Sequence, residues 1–301
     1  MLRPAIRFAI ATVEALTLTE SQRQALINLI DDPAPAVRQA LLGQFVRLGR
    51  TGADFLQEQA RSSNRLLAAR ASAYLRELKF ADPVAEFRDF IHSLNYELET
   101  GALLLSRTIN PDVDVGACCS LLDEMAARVK ALIAEPASAR EKCRVLNRVI
   151  FREYHFHGNV EHYTDPQNSY LDRVLERRTG LPITLAIVYL LVADRAGLKL
   201  EPVGMPGQFM IGCYEDDAPF FIDAFNQGLF LTAEEVCTQL RENHHTPQLA
   251  DLAPTPVREV LCRCCRNLAN HCLAANEPRH AQLFADFASE FETTHERHAR
   301  P

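Results

Sequence analysis

The sequence predicts a mostly helical α+β fold: a helical start, a mixed centre with a small antiparallel sheet, and a helical end. Apolar residues recur at helical spacing from the first residues to about residue 150, and three β-like runs fall together between residues 198 and 225. The chain has 301 residues, 48% hydrophobic and 24% charged, which provides for a large core in two or three packed units. That composition excludes a mainly disordered, collagen-like or charge-dominated chain. A net charge of -7 argues against a broad electrostatic grip on nucleic acid or an anionic membrane.

Taken in order, the start MLRPAIRFAIATVEALTLTE places Arg3 and Arg7 before a short apolar run, but Glu14 interrupts it and no convincing cleavage site follows. It reads as a first helix. From residue 1 to 80 the pattern stays helical, with polar breaks at Asp31–Pro35 and at Arg50-Thr51-Gly52. Ala25–Ile30 and Val37–Leu42 look like one HEAT-type helix pair, with Leu41, Leu42, Phe45 and Val46 as its stripe, and Leu66–Leu75 is a weaker echo. Helices continue over Val84–Leu98, a GALLLSRT segment, Cys118–Ile133 and Glu141–Tyr154, separated by Asn110-Pro111 and Glu135-Pro136.

The pattern then changes. A helix over Leu171–Arg178 meets a Gly180-Leu181-Pro182 break, and Ile183–Ala196 follows as a buried helix, apolar nearly all round, with Gly197 as its C-terminal cap. Strands are expected at Leu198–Gly204, Gln208–Tyr214 and Pro219–Phe225, helix again at Thr232–Leu240, and two amphipathic helices from Pro256 to Glu292. The longest apolar stretch, Leu185–Ala193, is too short to span a bilayer.

If the second and third runs form a hairpin with Asp216-Asp217 at its tip, Gln208 opposes Phe225 and Met210 opposes Asp223. Gln208 and Asp223 then share one face, and the Ile183–Ala196 helix, with Thr184 in its first turn, is expected to pack on it. A helix start of this kind, with free N–H donors, stabilises an anionic nucleophile.

This order resembles the transglutaminase-core superfamily, in which a Cys opens a helix and a His and an Asp follow on adjacent strands. More closely, Gly158-Asn159, Tyr163, Asp165-Pro166, Asn168-Ser169-Tyr170-Leu171, Arg177-Arg178, Gly180-Leu181-Pro182-Ile183, Pro206-Gly207-Gln208-Phe209 and Ile222-Asp223-Ala224-Phe225 are similar to the SirB-type branch. The resemblance covers about residues 85 to 230. Leu261 to Phe287 is similar to the TPR-like helical pair often found at that family's C-terminus. The implied domains are a HEAT-like region at 1–80, a transglutaminase-like (papain-like) core at 81–240 and a TPR-like pair at 254–295.

The resemblance puts the nucleophile position at Thr184, the base at Gln208 and the orienting acid at Asp223. A Gln amide neither takes nor returns a proton near neutral pH, and a Thr hydroxyl without a base stays protonated. Loss of a triad member costs on the order of 10⁴ or more in rate. The expectation is therefore a degenerate, non-catalytic triad in a pseudoenzyme, either a remnant ligand pocket or a vestigial polar cluster.

Asn168, Arg177 and Arg178 are further binding candidates. Their structural alternatives are a cap formed by Asn168 or Ser169, and helix-end charges that pair with carboxylates, Glu153 among them. His155, His157 and His162 fit no zinc spacing, and the cluster Cys262, Cys264, Cys265, His271 and Cys272 reads as buried apolar thiols. All nine cysteines read as reduced thiols in a cytoplasm. No metal or cofactor is called for. The function expected is a cytoplasmic interaction or regulatory module with a protein or peptide partner and neither a nucleic-acid nor a membrane partner. The alternatives are a hydrolase or acyltransferase using the same cleft, and a thiol-rich metal or redox protein.

Overall fold

The structure is a computed structural model, described for residues 18–30, 32, 34–78, 82–215 and 218–299. The helix expected over the first residues, up to residue 17, and the hairpin tip at Asp216-Asp217 lie outside the described residues. The chain divides into two compact units, residues 1–82 and 83–301.

Among the described residues of the first unit, four helices bury one aromatic-centred core: α1 (Glu20–Ile30), α2 (Pro35–Leu48), α3 (Arg50–Ala60) and α4 (Arg65–Glu77). Pro35 occupies the first turn of α2, where its missing N–H costs nothing. Phe45 meets Phe55 at 6.2 Å and Tyr74 at 5.6 Å. Two expectations fail here. Arg50-Thr51-Gly52 does not break the chain but opens α3, because Gly49 makes the whole turn at φ 52° and its N–H satisfies the Phe45 and Val46 carbonyls. Val46 is 64% exposed, so the buried stripe is narrower than Leu41, Leu42, Phe45 and Val46.

The second unit opens with α5 (Pro83–Ser93), α6 (Leu98–Arg107), α7 (Val115–Leu132) and α8 (Ala139–Asn147). Side chains start three of these. Glu97 accepts from the N–H groups of Glu99 and Thr100, Asp114 from that of Ala117, and Ser138 forms a reciprocal box with Glu141. Arg148–Glu153 then widens into a π-helical turn. Two short strands, β1 (His157–Gly158) and β2 (Thr179–Gly180), pair in parallel around a 3₁₀ turn at Pro166–Ser169 and α9 (Leu171–Arg177).

The central helix α10 (Pro182–Ala196) is buried at every residue from Ile183 to Ala193, as its all-round apolar sequence requires. Pro182 opens it and Gly197, at φ 82°, caps it. A four-stranded antiparallel sheet follows in sequence order: β3 (Glu201–Met205), β4 (Gln208–Cys213), β5 (Phe220–Asp223) and β6 (Leu229–Thr232). Ile211 opposes Ile222 and Cys213 opposes Phe220, the register that the hairpin reading gives. Strand β6 lies beyond the three β-like runs of the sequence. Thr232 then caps α11 (Ala233–Glu242).

The terminal helices α12 (Val257–Ala274) and α13 (Pro278–Ala299) do not stand apart from this unit. Phe284, Phe287 and Phe291 share one core with α5 and α10, and Phe87 meets Phe287 at 4.9 Å. No helix among the described residues is long and apolar enough to cross a membrane.

Candidate functional site

Thr184 stands in the first turn of α10, 2% exposed. Its Oγ1 accepts the N–H of Leu181 at 2.9 Å and donates to the carbonyl of Asn168 at 2.7 Å. One hydroxyl thus caps the helix and ties it to the Pro166–Ser169 turn. The space beside it is filled, since a Cβ on Gly180 would lie 2.8 Å from Thr184 Oγ1 and 3.1 Å from Val174 Cγ1. One strand away, the ring of Phe225 lies over Gly158 so closely that a Cβ there would meet it at 2.5 Å.

The hairpin face carrying Gln208 and Asp223 is not the one that packs on α10. By strand alternation the two residues share a face with Met210 and Phe221, whose core includes Val236 and Leu240 of α11. Phe209, Ile211, Cys213, Phe220 and Ile222 take the other face, in the core built on α10. The expected packing of Thr184 against the Gln208–Asp223 face is therefore corrected. The sheet is buried on both sides, and its more apolar face takes the central helix.

Asp223 is engaged in its own turn. Its Oδ1 accepts from the N–H groups of Phe225 and Asn226 at 3.0 and 3.1 Å, and its Oδ2 from Asn226 Nδ2 at 2.7 Å. Gln208 opens β4 after the Pro206-Gly207 turn, opposite Met205, and its Oε1 is buried without a hydrogen-bond partner among the described residues. This end of the sheet is covered by α12 and the segment leading into it. Arg263 donates to the Met205 carbonyl at 2.9 Å and lies 5.6 Å from the Phe209 ring. Thr255 pairs with Pro202 and Gly204 through hydrogen bonds of 2.7 and 2.8 Å. Burial pushes the Arg263 pKa down.

Asn168 is fully buried, donating to the carbonyls of His162 and Tyr163 and accepting from Asn159. It does not cap a helix, and neither does Ser169. Asp165 caps the 3₁₀ turn through the N–H of Gln167. Arg177 ion-pairs with Asp165 at 2.9 Å. Arg178, at φ 59°, ends α9 and lays its guanidinium over Tyr154 and Phe156 at 5.7 and 5.0 Å. Glu153 pairs with Arg128 and Arg148 rather than with Arg177 or Arg178.

Cys262, Cys264, Cys265 and Cys272 are all buried, and burial pushes the Cys264 thiol up to about 12 and that of Cys272 up to about 11. Among the described residues no group of three or more His, Cys, Asp or Glu side chains is placed to hold a metal ion.

A polar cavity of about 350 Å³ lies elsewhere in this unit, where Ser106 and Asn110, at the end of α6 and just beyond it, meet Asp165, Asp172 and His280. Of its residues the sequence singled out the Asp165-Pro166 turn, Tyr170 and the Asn110-Pro111 break, none of them as part of a cavity. Asp172 had no motif to mark it, since its neighbours come from three separate stretches of chain.

Residues 117–266 match the model of the transglutaminase-like superfamily. The chain carries a domain of that superfamily. It is also a homologue of UPF0162 proteins. It is 35% identical over 189 residues to the UPF0162 protein of Xylella fastidiosa (strain 9a5c), covering 60% of this chain and 66% of that one. With the Vibrio cholerae serotype O1 UPF0162 protein it shares 27% identity over 131 residues, 43% of this chain and 48% of the other. The F-box only protein 21 of Mus musculus is 37% identical over 131 residues, 41% of this chain and 20% of the mouse protein. The match thus spans just under two thirds of the Xylella relative and about half of the Vibrio one. No solved structure matches the chain.

Proposed function

We propose that the protein is a non-catalytic member of the SirB-type branch, a pseudoenzyme that acts in the cytoplasm as an interaction or regulatory module. The observation that carries this reading is the Thr184 hydroxyl, held between the Leu181 N–H and the Asn168 carbonyl at 2% exposure. A nucleophile needs a base within reach and an open approach for its substrate. Among the described residues the Thr184 hydroxyl meets only backbone groups at 2% exposure, and Gln208 has no atom that titrates near neutral pH. The recurrence of the region as one fifth of an F-box only protein supports its use as a module.

The partner is a protein or peptide rather than nucleic acid or membrane, in keeping with the net charge of -7. HEAT-like helices at 1–80 and a TPR-like pair at 254–295 would supply the binding faces of a chain whose core is 81–240. An apolar cavity of about 680 Å³ between α1 and α2, with Leu26, Leu29 and Leu41 in its wall and Arg47 beside it, supports this role for the first unit. The test is complementation of a strain lacking the protein, together with recovery of its cross-linked partners. Gln208→Ala and Thr184→Ser should complement fully and retain the same partners, whereas Val46→Glu with Arg47→Glu should lose them. Failure of Gln208→Ala and Thr184→Ser to complement, with the helix-face variant unaffected, would overturn the reading.

A further inference from the structure

Arginines recur at every fourth residue along one helical stretch: Arg140 and Arg144 on α8, then Arg148 and Arg152 on the π-helical turn that continues it. All of them are exposed, while Cys143, Leu146, Val149 and Ile150 between them are buried. In an α-helix each step of four residues advances about 40° around the axis and about 6 Å along it, so a longer series would wind off one side. The π turn at Arg148–Glu153 holds more residues per turn and winds the last step back. The guanidinium groups therefore form a stripe roughly 18 Å long on the solvent side of α8 and its continuation.

The acids around the stripe do not neutralise it. Glu153 is shared between Arg128 and Arg148, and Glu135 pairs with Lys142. Glu141 and Glu235, which sense Arg144 and Arg140, are turned into the caps of their own helices. Arg140, Arg144 and Arg152 form no ion pair with any described residue. Arg140 lies over the rings of Phe220 and Phe230 at 5.7 and 5.2 Å, a stacking that steadies the group and leaves its N–H edges for an acceptor.

We propose that this stripe docks an acidic polypeptide segment, whose carboxylates accept forked hydrogen bonds from Arg140, Arg144 and Arg152. Arginine matches a planar carboxylate with paired N–H groups, which a lysine ammonium does not. A polyphosphate chain is disfavoured, because the net charge of -7 and the interleaved Glu141 and Glu153 repel a continuous anion more than discrete carboxylates. The inference goes beyond the reading above, since it places a binding face on the core rather than on the flanking helices. It stands whether or not Thr184, Gln208 and Asp223 are inert.

Fluorescence anisotropy of the full chain with a labelled, blocked peptide of alternating Glu and Ala tests it, beside the Gln-Ala counterpart and a single-stranded oligouridylate of equal charge. The acidic peptide should bind at low salt, the Gln peptide should not, and Arg144→Glu with Arg152→Glu should weaken binding by at least about tenfold. Arg61→Glu with Arg65→Glu, an equal change of net charge at exposed residues of the first unit, should leave binding within about twofold. No binding of the acidic peptide, equal binding of the Gln peptide, equal loss in both double variants, or tighter binding of the oligouridylate overturns the proposal. Should the charge-reversed chain fail to fold, Arg144→Gln with Arg152→Gln should bind several-fold more weakly, and unchanged binding there overturns it equally.

Discussion

The hydroxyl of Thr184 donates to the backbone carbonyl of Asn168 at 2.7 Å, across a sequence gap that holds the whole of α9. The bond joins the start of the central helix to the turn that precedes α9, and it occupies the one atom that a catalytic reading would need free.

Its loss should be felt in stability. Thr184→Val keeps the shape but leaves the buried Leu181 N–H and Asn168 carbonyl without that partner, and should cost about 1–3 kcal/mol in urea denaturation. Thr184→Ser keeps the hydroxyl and should cost clearly less.

A thiol in the same place should be inert. Cysteines at open helix starts are activated, but at 2% exposure a Thr184→Cys side chain should resist iodoacetamide at neutral pH alongside Cys264. Burial holds Cys264 at about 12 and Cys118 at about 11, so little thiolate forms at pH 7. Cys237, partly exposed, should be alkylated first. Peptide mapping by mass spectrometry reads all of these positions at once.

Glu97 should give a pH-dependent share of stability. Burial pushes its carboxyl up, but hydrogen bonds from Thr100 and Glu99 outweigh this and hold its pKa below the usual value. With the folded pKa depressed, its contribution is present above the unfolded pKa of about 4.3 and disappears as pH falls through the folded value. Glu97→Gln should therefore destabilise by less than about 1 kcal/mol at neutral pH, given its exposure to solvent, and by nothing measurable in strong acid. Denaturation of both chains at the two pH values checks this.

Much of the architecture was legible in the sequence for physical reasons. Pro182 and Gly197 bracket a nearly all-apolar run, which fixes α10, and the spacing of two apolar runs fixes the Ile211–Ile222 register. The face of the hairpin on α10 was not legible. Both Phe209-Ile211-Cys213 and Met210-Phe221 are buried, so the alternation that usually marks the inner face is missing. Strand β6 is only four residues long and runs straight into the cap of α11, which hides it within a helix signal. At the site, the identities of Thr184, Gln208 and Asp223 were readable, but not that each is engaged or covered locally. The polar cavity beside Asp172 depends on α6, α9 and α13 converging, which no local pattern encodes.

The central claim, that the transglutaminase-like domain carries no acyl-transfer chemistry, is tested most directly by turnover of amide and ester substrates by the purified full chain beside its Asp223→Asn variant. The two should show the same background rate. Turnover by the wild-type chain that Asp223→Asn abolishes, with that variant still folded, would contradict it.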